Sequence, residues 1–551
     1  MMNISAKKVW YIWIIFAIAM CLMQASTIGI LPSLMQDEAQ VTDYGRLALD
    51  PLSNWSVTWW VAGEKPLLLW SYLGPLFAEL GYQVGGPSGV GTRLMALIGG
   101  LMAAIMALGW LLERKVPTVI AGLLAFAFLL DPLFTLSQRM ARSDSWVVAF
   151  CLASCWLLAL SASKQARKRI VFVVISGMLA AAASFLWPSA VFIYPLICME
   201  FFRSNNHQLD TENSPPKWWA LMLYFILGGL FISILLIIPI RHQLGIILDD
   251  MSNMVSLNVN ASKTPFERFS ALFSYQPWSK LIKAFAKTLS PFLPLLALWA
   301  VLFRRVKATV FVSLFTLIII FTTLVYEFRL LYLLPYFLLL FGDLFINVDV
   351  KPLQPTIRKI SRVFLFVAVI WSIGVSIFLR SAFAYHDGDL HKRSLLNEAA
   401  TSIIGPGNHK VFLAFAYEFY FTGRSLGWQL YTPYIQFSYD ADGNWIRKDD
   451  FLPKDKFIKL MSEMDYAIFP GNKIEEDIAE QLELSGLTYS STIHVSDELT
   501  SNKNENSSGR MNEVIIWYLR GSPSYGPYRL YSRTKHQQTS SQTQVKEEKH
   551  Q

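Results

Sequence analysis

The sequence has 551 residues, of which 53% are hydrophobic and 16% charged, with a net charge of +8. Soluble domains carry about 25% charged residues, so the composition excludes an ordinary soluble protein and points to one that lives largely in lipid. The basic residues gather between apolar segments, which reads as a topology signal and excludes nucleic-acid binding.

Eighteen Trp and 22 Tyr suit long membrane interfaces, where amphipathic rings settle. Four cysteines, Cys21, Cys151, Cys155 and Cys198, lie in apolar stretches. Cys151 and Cys155 share a helix face, but packing explains them better than metal ligation. None follows residue 198, so the polar C-terminal third is not a disulfide scaffold.

Spanning a bilayer takes roughly 20 apolar residues. Candidate spans run over 9–35, 93–112, 118–136, 145–162, 169–186, 188–202, 218–240, 288–303, 308–326, 330–346 and 363–382, eleven in all. The first follows Lys7 and Lys8 and is too long for a cleaved signal peptide, so it reads as a retained anchor. The segment 67–80 is shorter and is expected to lie in the interface.

With a cytoplasmic N-terminus, the short cytoplasmic connections hold Arg114/Lys115, KQARKR at 164–169, Arg203, RRVK at 304–307 and Lys351/Arg358/Lys359. This is the positive-inside pattern. The opposite side receives long loops at 36–91 and 241–287, and everything after about 383 lies outside.

That C-terminal region reads as a small α/β domain over 383–531. Strands are predicted at 409–419, 465–471 and 511–520, and a helix at 473–484. Residues 532–551 form a polar tail with almost nothing to bury. The predicted fold is thus a polytopic α-helical membrane domain over 1–382 with a small extracytoplasmic α/β domain.

Polar residues of interest collect on the outer side. Asp37 and Glu38 open the first outer loop, and Glu64-Lys65-Pro66 follows. QRMARSDSW holds Arg142 and Asp144, and YEFRLLYLLP holds Glu327, Arg329, Tyr332 and Pro335. Each has a bland reading. Asp37-Glu38 can end a helix at water, and Glu64-Lys65 can be a local ion pair. Asp144 can cap a helix, and Arg329 can snorkel to headgroups.

Their combination and order resemble the GT-C glycosyltransferases, specifically the protein O-mannosyltransferase and aminoarabinose transferase (ArnT) superfamily. The resemblance rests on the DE pair, the GEKP motif, the AR-x-D turn, the R-x-x-Y-x-x-P segment and EFYFTGR at 418–424. The chain departs from it at Gln40, where relatives usually carry Arg, at Leu67, where they often carry a second Pro, and in having its nearby Tyr only at position 44.

The resemblance implies a GT-C fold and sugar transfer from a polyprenyl-phosphate donor to an acceptor on the outer face, a glycolipid, glycan or protein. Lipid A is the favoured glycolipid, and a Gram-negative inner membrane the favoured location. Asp37 is then the candidate base, with Glu38 and Asp144 beside it. Lys65, Arg142, Arg329, Tyr332 and Arg268 are the candidates for binding the donor phosphate. Members of this family differ in using a divalent metal; where one is used, Glu64 and His242 are the candidate ligands. A transporter or lipid flippase is the rival reading, and an inactive lipid-binding scaffold a second.

Overall fold

The computed structural model describes residues 6–58, 69–206, 217–245, 247–248, 275–303, 307–323, 326–346, 354–432, 437–439, 445–447, 454–495, 515, 518–519 and 525–533. The N-terminal part is a stack of apolar helices: α1 (Ala6–Ala25), α2 (Gln36–Leu49), α3 (Leu73–Gly85), α4 (Val90–Glu113), α5 (Thr118–Leu129), α6 (Pro132–Arg139), α7 (Asp144–Ser161), α8 (Ala166–Leu186), α9 (Tyr194–Asn206) and α10 (Trp218–Ile237). Further helices follow, the longest over Pro355–Ile373.

Among the described residues, five helices are long and apolar enough to span a membrane, or six if one bent pair counts as a span. Three more, Val9–Ala25, Phe292–Phe303 and Ala308–Phe321, are apolar but shorter. The predicted eleven therefore resolve into full-length spans and broken or short ones, because hydropathy counts apolar residues and not interruptions. The segment 118–136 shows why. Pro132 removes a backbone donor, and Asp131 caps a new helix by accepting from the Leu133 and Phe134 N–H groups at 3.0 and 3.2 Å. Helices α5 and α6 consequently meet at 50°. The first predicted span likewise stops at Ala25, where Ser26 and Thr27 turn their hydroxyls onto the Met23 and Gln24 carbonyls.

Helix α4 packs on α7, α7 on α8, and α8 on α10. The last contact needs glycine: a side chain at Gly177 or Gly228 would strike the backbone of Phe225 or Val174. Small residues of this kind let apolar helices approach where dispersion contacts must hold them. Only 11% of the α10 span is buried, which suits a helix whose remaining surface meets lipid.

One end of the stack is fastened by a closed polar knot. Arg114, just past α4, binds both Glu200 of α9 and Asp343. Arg203 and Thr309 complete it, on Glu200 at 3.0 Å and on Asp343 at 2.9 Å.

The C-terminal part contains a five-stranded mixed sheet. Its strands are β1 (Lys410–Leu413), β2 (Gln429–Tyr431), β5 (Tyr466–Pro470), β6 (Leu487–Ile493) and β7 (Tyr528–Arg533), and its order is β2-β1-β5-β7-β6. Strands β1, β2 and β5 run parallel, and β7 is antiparallel to both neighbours. A separate hairpin pairs β3 (Phe437–Tyr439) with β4 (Trp445–Arg447).

The predicted helix at 473–484 appears as Glu476–Leu484, and the strand at 465–471 as β5, ending where Gly471 takes φ +89°. The predicted strand at 409–419 stops at Leu413 and gives way to a helical turn over Tyr417–Phe419. The segment 511–520 differs more. Its described residues, Ile515, Tyr518 and Leu519, are helical and pack into the membrane-helix core. The Tyr518 hydroxyl donates to the Pro132 carbonyl at 2.9 Å, and its ring lies 4.6 Å from the Arg380 guanidinium carbon. A short apolar run fits a strand or a buried helix equally well by periodicity, and packing decides. Of the predicted tail, 532–533 complete β7 and 534–551 lie outside the described residues.

Candidate active site

The site is built around the start of α2. The Glu38 side chain reaches back to accept the Met35 N–H at 3.2 Å, a local bond that fixes where the helix begins. Consecutive helical residues point about 100° apart, so the two acids diverge. Glu38 turns inward and is fully buried, gripped in a two-pronged ion pair by Arg93 of α4, with both contacts at 2.6 Å. Arg93 also holds the carbonyls of Ile28 and Pro32 at 2.8 Å. Arg139 of α6 binds the Leu31 and Gln24 carbonyls. The connector from α1 to α2 is thus set by two buried arginines.

Asp37 turns outward, and its side chain remains 44% exposed. Its Oδ2 accepts from Arg142 Nη1. The Arg142 Nε donates to Asp144 Oδ2 at 2.6 Å, and the Tyr332 hydroxyl donates to Asp144 Oδ1 at 2.6 Å. Arg142 lies over Phe328, 4.0 Å from the ring centroid. It follows Ala141, whose left-handed φ of +50° bends the turn so that the guanidinium reaches α2. Burial pulls the Arg142 pKa down, but Asp144 and Asp37 outweigh it and hold the group above its ordinary value, hence charged.

The structure therefore joins Asp37, Arg142, Asp144 and Tyr332, drawn from three separate sequence motifs, in one hydrogen-bonded chain. Asp144 is the first residue of α7, one past the cap position, which Ser143 holds. Tyr332 is fully buried and spends its hydroxyl on Asp144. Arg329 lies nearby, its guanidinium carbon 4.9 Å from the Tyr326 ring centroid. Glu64, Lys65 and Arg268 lie outside the described residues.

His242 is placed far along the chain at the end of α10, where its Nε2 accepts from Arg241 at 3.1 Å. A cation on that nitrogen would face a guanidinium. Among the described residues no three His, Cys, Asp or Glu side chains cluster as metal ligands.

Sequence reasoning missed Arg93, although a charge at the mouth of a predicted span is a signal in itself. It also missed Asp43, a buried hub. Asp43 accepts from Arg46 at 2.7 Å, from the Val57 N–H and Tyr420 hydroxyl at 3.0 Å each, and from Ser56. Tyr420 belongs to the EFYFTGR segment. Arg424 of the same segment binds Glu79 of α3 at 2.7 and 3.0 Å and lies over Tyr82. The segment is the catch by which the C-terminal sheet domain holds α2 and α3. Ser56 also pairs with Tyr431 alongside β2.

No family model matches the sequence, and no curated protein matches it significantly. Solved structures do match in shape, and they define the class: a GT-C membrane fold. The arabinofuranosyltransferase AftD from Mycobacteria superposes with a TM-score of 0.51 at 14% identity, over 94% of this chain and 40% of its own length. This chain therefore spans about two fifths of AftD. ArnT from Cupriavidus metallidurans, bound to undecaprenyl phosphate, superposes with a TM-score of 0.53 at 10% identity, over 84% of this chain and 93% of its own. The fold expected from the order of sequence motifs is the fold observed.

Proposed function

We propose that this protein is a membrane glycosyltransferase that moves a sugar from a polyprenyl-phosphate donor to an acceptor on the outer face. The observation that carries the reading is the half-open Asp37 carboxylate, held by Arg142 against a buried Asp144–Tyr332 brace. It sits on a fold shared with an enzyme captured with undecaprenyl phosphate.

The chemistry follows from the charges. Asp37 is the carboxylate open to an incoming hydroxyl; it orients that group and takes its proton as the new bond forms. Glu38 and Asp144 are buried with both oxygens engaged, so a second nucleophile beside Asp37 is lacking among the described residues. That favours a single displacement with inversion at the anomeric carbon. The leaving phosphate gains charge as the glycosidic bond breaks, and preset cations stabilise it. Arg142 serves here, and Arg329, Lys65 and Arg268 are the further candidates.

The favoured acceptor is an envelope glycolipid such as lipid A. The favoured setting is a Gram-negative inner membrane with the N-terminus in the cytoplasm and the sheet domain outside. The basic loops support this orientation, and so does the docking of the sheet domain onto the helix that carries Asp37. The test is Asp37→Asn in reconstituted membranes supplied with undecaprenyl-phosphoryl sugars and lipid A. Transfer at the wild-type rate would remove Asp37 from the mechanism.

A further inference from the structure

Asp37 has a second neighbourhood besides Arg142. Gln40 lies three residues further along α2 and so shares the Asp37 face. The helical turn Tyr417–Phe419 of the sheet domain packs against this helix. The Tyr417 hydroxyl comes close enough to feel Asp37, Glu418, Gln40 and Thr432.

Three polar atoms here are buried and meet no hydrogen-bond partner: the Tyr417 hydroxyl, the Gln40 amide nitrogen and Glu418 Oε2. Gln40 and Thr432 stand beside the hydroxyl but outside hydrogen-bond geometry, and Thr432 gives its own proton to the Leu413 carbonyl at 3.0 Å. A buried polar group without a partner is costly. These three stand close to the half-open Asp37 carboxylate, where a ligand could complete them.

We propose that Gln40 and Tyr417 form a subsite for the hydroxyl groups of a neutral saccharide, presented to Asp37 by the seam between α2 and the sheet domain. The charge around the seam decides the ligand class. The Asp37 carboxylate, which acts on the Tyr417 hydroxyl, disfavours a phosphate or uronate beside it. An ammonium, which only donates, would leave the Gln40 nitrogen and the phenol proton unpaired. A hydroxyl both accepts from that amide and exchanges a hydrogen bond with the phenol. The sugar is that of the donor or that of the acceptor.

This inference rests on the glycosyltransferase reading, and the experiment separates the two. The full chain is placed in nanodiscs. Saturation-transfer NMR is run with methyl mannopyranoside and methyl arabinofuranoside, and with methyl galacturonoside as the anionic comparison. Undecaprenyl phosphate binding is followed on the same samples by native mass spectrometry.

We expect at least one neutral glycoside to bind, the uronide to bind more weakly, and Gln40→Ala and Tyr417→Phe each to weaken the neutral probe about five-fold, the loss of one hydrogen bond. Undecaprenyl phosphate binding should stay unchanged in both variants. Added undecaprenyl-phosphoryl mannose identifies the source: a displaced glycoside occupied the donor sugar's place, and a retained one the acceptor's. The subsite is overturned if neither neutral glycoside binds, if both variants bind it as the wild type does, or if the uronide binds as well. Loss of undecaprenyl phosphate binding by the wild type overturns the glycosyltransferase reading instead.

Discussion

Two clusters in this protein share one plan and differ in one respect. In each, a single arginine bridges two carboxylates and a hydroxyl closes the far side. At Arg114 the carboxylates are Glu200 and Asp343, with Thr309 as the hydroxyl. At Arg142 they are Asp37 and Asp144, with Tyr332. Arg114 lies 21 positions beyond Arg93, the α4 arginine that grips Glu38, which puts the clusters about 31 Å apart at 1.5 Å per helical residue. In the first, all three charged groups are buried; in the second, Asp37 opens to its surroundings. The same arrangement is a rivet when closed and a site when one carboxylate is left accessible.

The contrast breaks most sharply at the two ends. Asp37→Asn should lower the rate of sugar transfer by about 10²–10⁴-fold, the range for loss of a positioned base, while the melting temperature in detergent stays within a degree or two of wild type. Arg114→Ala should do the reverse. Removing the partner of two buried carboxylates destabilises by about 3–5 kcal/mol, read as a large drop in melting temperature with the activity of the remaining folded protein preserved. If Arg114→Ala spares the fold and abolishes transfer, the two clusters are not opposites.

A buried acid with no arginine gives the third case. Burial raises the Glu418 pKa from 4.5 to about 7. The folded state therefore holds its proton more tightly than the unfolded chain. This group's contribution to stability is full below pH 4.5 and is lost as pH rises from 4.5 to 7, by on the order of 3 kcal/mol. Glu418→Gln should flatten that slope and melt higher than wild type at pH 8. An unaltered pH profile would show that Glu418 is already ionised in the fold.

The smallest effect is expected at Tyr332→Phe. It leaves one Asp144 oxygen without its donor and should cost about 1–3 kcal/mol, seen as a fall in kcat of about tenfold with the donor KM little changed. A shift confined to KM would place the Tyr332 hydroxyl on the lipid donor instead.

Much of this was legible in the sequence, and the physics says which part. Asp37, Arg142, Asp144 and Tyr332 could be picked out because charges and polar groups at a membrane boundary stand out against apolar surroundings, and because the order of their motifs resembles that of the GT-C enzymes. That Glu38 and Asp37 part company was hidden in their adjacency; it emerges only once Met35 fixes the helix start and Arg93 claims one acid. Asp43 and Glu79 carried no local signal, since their partners Tyr420 and Arg424 lie more than 300 positions away. The strand predicted at 511–520 proved helical at its described residues, and β7 was not predicted, because short apolar runs carry no helix or strand signature of their own.

The pairing of Ser56 with Tyr431 has a consequence for how the chain can be divided. Residue 383 looks like a boundary in composition, yet the segment after α2 makes a bridge from Ser56 to Tyr431 on the edge strand of the sheet. Leu34, Ala39, Val57 and Tyr82 sit in the same apolar cluster as Val411, Phe419 and Leu430. A fragment expressed from residue 383 onward would display a bare strand edge and an apolar cluster stripped of Leu34, Ala39, Val57 and Tyr82, the conditions for aggregation. Through these contacts the two parts are expected to unfold together, which coincident melting of probes in each part would check.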